Sequence, residues 1–121
     1  MRRLLLTAAL VASLAVVPAA GAAPPTTLHC PSADLRYPFH KGGPKDFGVF
    51  RLRITNGTCA TAHRVAKRWQ RRFERSPTAT LPRRVYGFRF RSLPPRAAQT
   101  YRLRGTREET VIRFAYVVPN G

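Results

Sequence analysis

"NGTCATAHRVAKRWQRRFERSP", residues 56–77, is the stretch on which the fold turns. Cys59, Ala62, Ala66, Trp69 and Phe73 recur at intervals of three and four, with Val65 beside them. At 100° per residue they form one narrow apolar stripe. Arg64, Lys67, Arg68, Arg71 and Arg75 gather on the opposite side, with Arg72 near its edge. Thr58 is placed to cap the first turn and Pro77 to stop the last. The spacing predicts an amphipathic helix over 59–75. Asn56-Gly57-Thr58 matches a glycosylation acceptor, but a turn followed by a helix cap accounts for the same three residues.

Around this helix the period drops to two. In "FRLRIT" Phe50, Leu52 and Ile54 alternate with Arg51, Arg53 and Thr55. In "YGFRFRS" Tyr86, Phe88 and Phe90 alternate with Gly87, Arg89 and Arg91. "TYRLRG" sets Tyr101 and Leu103 against Arg102 and Arg104, and "TVIRFAYVV" sets Ile112, Phe114 and Tyr116 against Arg113 and its neighbours. Pro94-Pro95 marks a turn before the third run, and Gly105 to Glu109 joins the third to the fourth. One strand, a long helix and three strands predict an α+β domain, with the helix packed on a three- to four-stranded, mostly antiparallel sheet. The apolar strand residues would face Val65, Trp69 and Phe73. Arg51, Arg53, Arg89, Arg91, Arg102, Arg104 and Arg113 would then share the other face.

That face dominates the charge balance. The chain carries 22 Lys and Arg against 5 Asp and Glu, a net charge of +17. Most arginines therefore have no carboxylate to pair with in the chain. A solvated surface can carry such a run. A field of this size also attracts anionic partners, and the planar fork of arginine suits phosphate and carboxylate.

The first residues address localisation. Arg2 and Arg3 precede an apolar run from Leu4 to Val17, and small residues follow from Ala19 to Ala23. This is the pattern of a signal peptide over residues 1–22, cleaved after Ala20-Gly21-Ala22. The run is short for a membrane span, which needs about 20 residues, so the mature chain is expected to have no transmembrane segment. Residues 23–46 hold five prolines and Gly42-Gly43 and read as an extended segment with room for a short strand near Leu35 to Phe39. Residues 47–121 read as one small domain, monomeric and without a cofactor.

Two cysteines in an exported chain read first as a disulfide. Bridging Cys30 to Cys59 would close a loop worth roughly 3.5 kcal/mol in the chain-entropy model. Two other readings stand beside it. Cys59 at a helix N-terminus with His63 one turn on could be a reactive thiol. His29, Cys30, Cys59 and His63 have the ligand count of a structural zinc site, although the spacing lacks a matching second half.

Asn56 to Tyr116 resembles a group of small exported proteins of high-GC Gram-positive bacteria that have no assigned function. The resemblance rests on Thr58-Cys59 followed by Ala62, Val65 and a shifted Trp69, on Gly87-Phe88-Arg89-Phe90, and on Leu103-Arg104-Gly105 followed by Ile112-Arg113-Phe114. Such proteins commonly carry a second cysteine pair where Phe90 and Leu103 stand here. The resemblance implies that an apolar contact replaces that bridge and that Cys59 is structural. It implies no activity.

The functional expectation is a non-enzymatic, exported, basic protein that binds an anionic polymer or lipid surface of the cell envelope or its surroundings, with any nucleic-acid binding non-specific. Arg51, Arg53, Arg64, Lys67, Arg68, Arg71, Arg75, Arg89, Arg91, Arg102, Arg104 and Arg113 are the expected contacts. An alternative is a small ribonuclease-like hydrolase using His29, His40, His63 and Lys41, although no motif brings any two of them together. Another is a secreted protein-binding module or inhibitor.

Overall fold

A computed structural model of the chain describes residues 24–119; the expected signal peptide lies outside them. Strand β1 (Thr27–His29) is followed by a 3-10 turn (Ala33–Leu35), β2 (Arg36–Tyr37) and β3 (Phe47–Thr55). Helix α1 (Cys59–Arg75) leads to β4 (Arg84–Val85), β5 (Phe88–Ala97), β6 (Thr100–Arg107) and β7 (Thr110–Val117). All seven strands join one sheet, in the order β1-β3-β7-β6-β5-β4, with β2 pairing the other end of β3. Every pairing is antiparallel.

The architecture is the expected α+β layer pair, one helix on an antiparallel sheet with one disulfide, but the sheet has seven strands rather than three to four. Four of them are long. The other three, β1, β2 and β4, are two or three residues each, too short to display a period of two, and β1 and β2 stand among prolines.

The helix begins and ends where its local chemistry dictates. The Thr58 side chain accepts a hydrogen bond from the Thr61 N–H at 3.2 Å, which satisfies one of the open donors of the first turn. Arg72 and Arg75 occupy the last turn, where positive charge meets the negative end of the helix dipole. Ala62, Val65, Ala66, Trp69, Gln70 and Phe73 are buried. They cover Leu52, Ile54, Phe88, Leu103, Ile112, Phe114 and Tyr116 on the inner face of the sheet.

Two aromatic residues depart from simple alternation. In β3, residues 51 and 52 together oppose Phe114, because Phe50 pairs with Ala115 and Arg53 with Arg113. The extra residue is a β-bulge with Arg51 in the left-handed region at φ 54°. It turns Val49 inward and Phe50 outward while keeping Leu52 and Ile54 in the core. Tyr86, expected inside, is 51% exposed. It forms with Gly87 the two-residue turn between β4 and β5, both at positive φ, as that hairpin class requires. Pro94 and Pro95 lie within β5, and the turn falls instead between Ala97 and Thr100. Prolines are tolerated there because β4 pairs β5 only at Phe88 and Arg89, which leaves an open edge.

Cys30 and Cys59 form the disulfide, with Cα atoms 5.3 Å apart. It joins the strap that carries β1 to the first turn of α1. The strap also passes close to Gly48, where an added Cβ would lie 2.2 Å from the Leu35 carbonyl oxygen and where φ is +104°.

Gly48 and Arg51, three residues apart on one strand, predict opposite signs. Gly48→Ala should lose at least about 2 kcal/mol through backbone strain and the clash with Leu35. Arg51→Gly should gain about 0.5–1 kcal/mol over Arg51→Ala, which keeps the strain but removes the charge. Urea unfolding of the three variants checks both. The double variant Cys30→Ala/Cys59→Ala should lose about 3.5 kcal/mol in the same assay.

Candidate anion-binding face

The outer face of the sheet, away from α1, is organised by register. Arg91 on β5 pairs with Arg104 on β6, Arg104 with Arg113 on β7, and Arg113 with Arg53 on β3. His29 on β1 then pairs with Arg53. Directly paired residues project to the same face, so these five side chains form one row across five adjacent strands. At about 4.8 Å per strand the row spans about 19 Å. Arg102 and the bulge residue Arg51 flank it. Arg51, Arg53, Arg91, Arg102, Arg104 and Arg113 all line one concavity of about 850 Å³. Arg89 lies one row further along β5, opposite Thr106.

The row is not neutralised from within. Among the described residues the one ion pair is His63–Asp34, at 2.6 Å, on the helix side. Glu74 accepts a hydrogen bond from Tyr116 at 3.2 Å, and Glu108 and Glu109 occupy the β6–β7 turn. Arg102 donates to the Pro94 carbonyl at 3.3 Å. The Nε groups of Arg53 and Arg104 are shielded from solvent and have no hydrogen-bond acceptor among the described residues. Like charges directly opposite one another cost a sheet some tenths of a kcal/mol per pair, and a donor shielded without an acceptor adds to that. An anion seated in the concavity would relieve both.

The helix residues form a separate surface. Arg64, Lys67, Arg68, Arg71 and Arg75 are exposed on the side of α1 remote from the sheet. The Arg64 guanidinium lies 5.3 Å from the centre of the Tyr86 ring. Lys67 and Arg71 border a shallow cleft shared with Asp34 and Glu74, so this stripe is partly interleaved with acid. There the hydrogen bond from His63 holds the Asp34 carboxyl below the usual carboxylate range. Beneath it, burial raises the Tyr116 phenol well above its ordinary value. The twelve expected residues are thus divided between opposite sides of the molecule, and only the sheet side gathers them around one concavity.

The remaining candidates are dispersed. His29 is on β1, His40 and Lys41 are in the connection between β2 and β3, and His63 is on α1. The disulfide takes both sulfurs, so the reactive-thiol and zinc readings lose their ligands. No group of three or more His, Cys, Asp or Glu among the described residues is placed to hold a metal. No described helix is long and apolar enough to cross a membrane.

Alternation alone missed His29, Phe50 and Arg36 as parts or borders of the outer face. Arg36 pairs with Gly48, donates to the Val49 carbonyl at 3.1 Å and lies 4.4 Å from the Phe50 ring centre. The short strand expected near Leu35 to Phe39 is β2, but two residues have no period from which to read the face that Arg36 takes. Comparison of the chain with protein-family models, curated proteins and solved structures finds no match.

If the row is electrostatically strained, Arg104→Gln should stabilise the protein at 20 mM salt by about 0.5 kcal/mol. The gain should vanish at 1 M salt, where the screening length falls to about 3 Å. Thermal unfolding at the two salt concentrations measures it.

Proposed function

We propose that the protein is exported and acts without catalysis, its outer sheet face binding an anionic polymer of the cell envelope or its surroundings. The observation that supports this reading is the transverse row of Arg91, Arg104, Arg113 and Arg53, set in a concavity with no carboxylate partner among the described residues. Four arginines facing each other across strands cost stability, and an anion that bridges them turns the cost into binding energy. The disulfide is compatible with an oxidising location outside the cell.

The expected contacts are bidentate hydrogen bonds from guanidinium groups to phosphate or carboxylate oxygens. They carry no base readout, so nucleic acid would bind only as one polyanion among others. Kinship with the small exported proteins that Asn56 to Tyr116 resembles belongs to the same proposal, and it adds no activity.

Titration with fluorescently labelled polyphosphate tests the reading. Affinity should fall steeply with salt, by about 0.7–0.9 log units per log unit of salt for each phosphate engaged. Arg53→Ser/Arg104→Ser/Arg113→Ser should flatten the slope by about 2 to 3. Arg68→Ser/Arg71→Ser/Arg75→Ser on the helix should leave most of it. No binding at low salt, salt-insensitive binding, or complete loss in the helix variant alone would sink the proposal.

A further inference from the structure

The outer face is not uniformly polar. Same-face residues along a strand are about 6.8 Å apart, so the next row beyond the arginines is Leu93, Arg102, Ala115 and Phe50. Beyond that, Thr100 pairs with Val117 and Val117 with Gly48. Within one or two rows the charged row therefore gives way to an apolar band of Phe50, Leu93, Ala115 and Val117, interrupted by Arg102 between Leu93 and Ala115. All four line the same concavity as the arginines, and α1 lies on the opposite face. An uncovered face of an antiparallel sheet is ordinarily polar. The bulge at Arg51, with its left-handed backbone, is what brings Phe50 to this side.

A wholly hydrophilic polyanion would use the arginine row and leave the apolar band wet. Charge complementarity on one side and apolar lining on the other call for a ligand with both characters. The concavity, about 850 Å³, is in the size range of sites that take small organic ligands. We infer that this face takes an amphiphilic phosphate, a phosphate ester carrying a single alkyl or acyl chain. The arginine row holds the phosphate, and Phe50, Leu93, Ala115 and Val117 take the first part of the chain. This rests on the anion-binding reading of the same face and narrows it: the anion recognised is one attached to a lipid chain. Burial of even two methylene groups is worth on the order of tenfold in affinity, so the apolar band decides between ligands of equal charge.

Isothermal titration with dodecyl phosphate below its micelle concentration, with inorganic phosphate and with polyphosphate tests the inference. Dodecyl phosphate should bind at least tenfold more tightly than inorganic phosphate. Leu93→Ser/Val117→Thr, with every arginine in place, should lose about tenfold for dodecyl phosphate and stay within twofold of the parent for polyphosphate. Arg104→Ser should weaken both. Should the double variant fail to unfold cooperatively on heating, Ala115→Trp, which fills the concavity beside Arg102, is expected to give the same selective loss. Equal affinity for dodecyl phosphate and inorganic phosphate, or no effect of the apolar substitutions, overturns the inference while polyphosphate binding leaves the anionic face standing. Absence of binding to all three probes overturns both. Binding to bilayer vesicles containing anionic lipid, with none to monomeric dodecyl phosphate, also overturns it and assigns the face to a membrane surface.

Discussion

Trp69 closes the space between the two layers, and the rest of the domain is arranged around it. Its ring stacks on Phe73 at 5.4 Å and meets the edges of Phe114 and Tyr116 at 5.2 and 5.0 Å. One side chain thereby ties α1 to itself and to β7, the strand between β3 and β6. Its indole N–H has no acceptor among the described residues, a cost of about 1–3 kcal/mol. Removing about 150–250 Å² of ring from water returns about 4–6 kcal/mol. Burial wins, and the orientation of the helix follows from it. With the inner face committed to this aromatic cluster, every residue of opposite parity on β3, β5, β6 and β7 goes to the other side.

That division explains what could be read in advance and what could not. The helix was legible to the residue because stripe, cap and stop agree: Thr58 caps, Pro77 ends, and Trp69 and Phe73 are buried. Leu52, Ile54, Phe88, Phe90, Leu103, Ile112, Phe114 and Tyr116 were legible because each lies in an uninterrupted alternation. Phe50 was not, because one residue inserted at Arg51 reverses parity upstream, and nothing in "FRLRIT" announces a bulge. Tyr86 was not, because a positive-φ turn accepted a tyrosine beside Gly87 where asparagine or aspartate is usual. The short strands β1, β2 and β4 exist through tertiary pairing rather than propensity. Phe90 and Leu103, both buried on neighbouring strands, are offset by two residues, and the Phe90 ring lies over Gly105 instead.

The anionic-ligand site was half legible. Alternation placed the strand arginines on one face without saying which would be neighbours. Register decides that, and register comes from the turns: Glu108-Glu109 aligns Arg104 with Arg113, and Ala98-Gln99 lies between the strands that align Arg91 with Arg104. The bulge then brings Arg53, not Leu52, opposite Arg113. The helix stripe, equally basic in the sequence, ends on the far side of the molecule beside Asp34 and Glu74. Sequence patterns separate inside from outside, whereas loop geometry sorts the outside into sites.

A row of unpaired arginines across a sheet is an unfavourable arrangement that a folded chain keeps only with enough stability from elsewhere. Here the bridge between Cys30 and Cys59 supplies a term of about 3.5 kcal/mol that does not depend on the sheet's own electrostatics. The row's repulsion, at some tenths of a kcal/mol for each of its three arginine pairs, is smaller than that. The strap it secures also brings His29 into the row through β1 and Arg36 to its apolar border through β2. The disulfide and the charged face are thus coupled: the covalent link that lets a domain of this size tolerate concentrated charge also extends the polar row to the fifth strand.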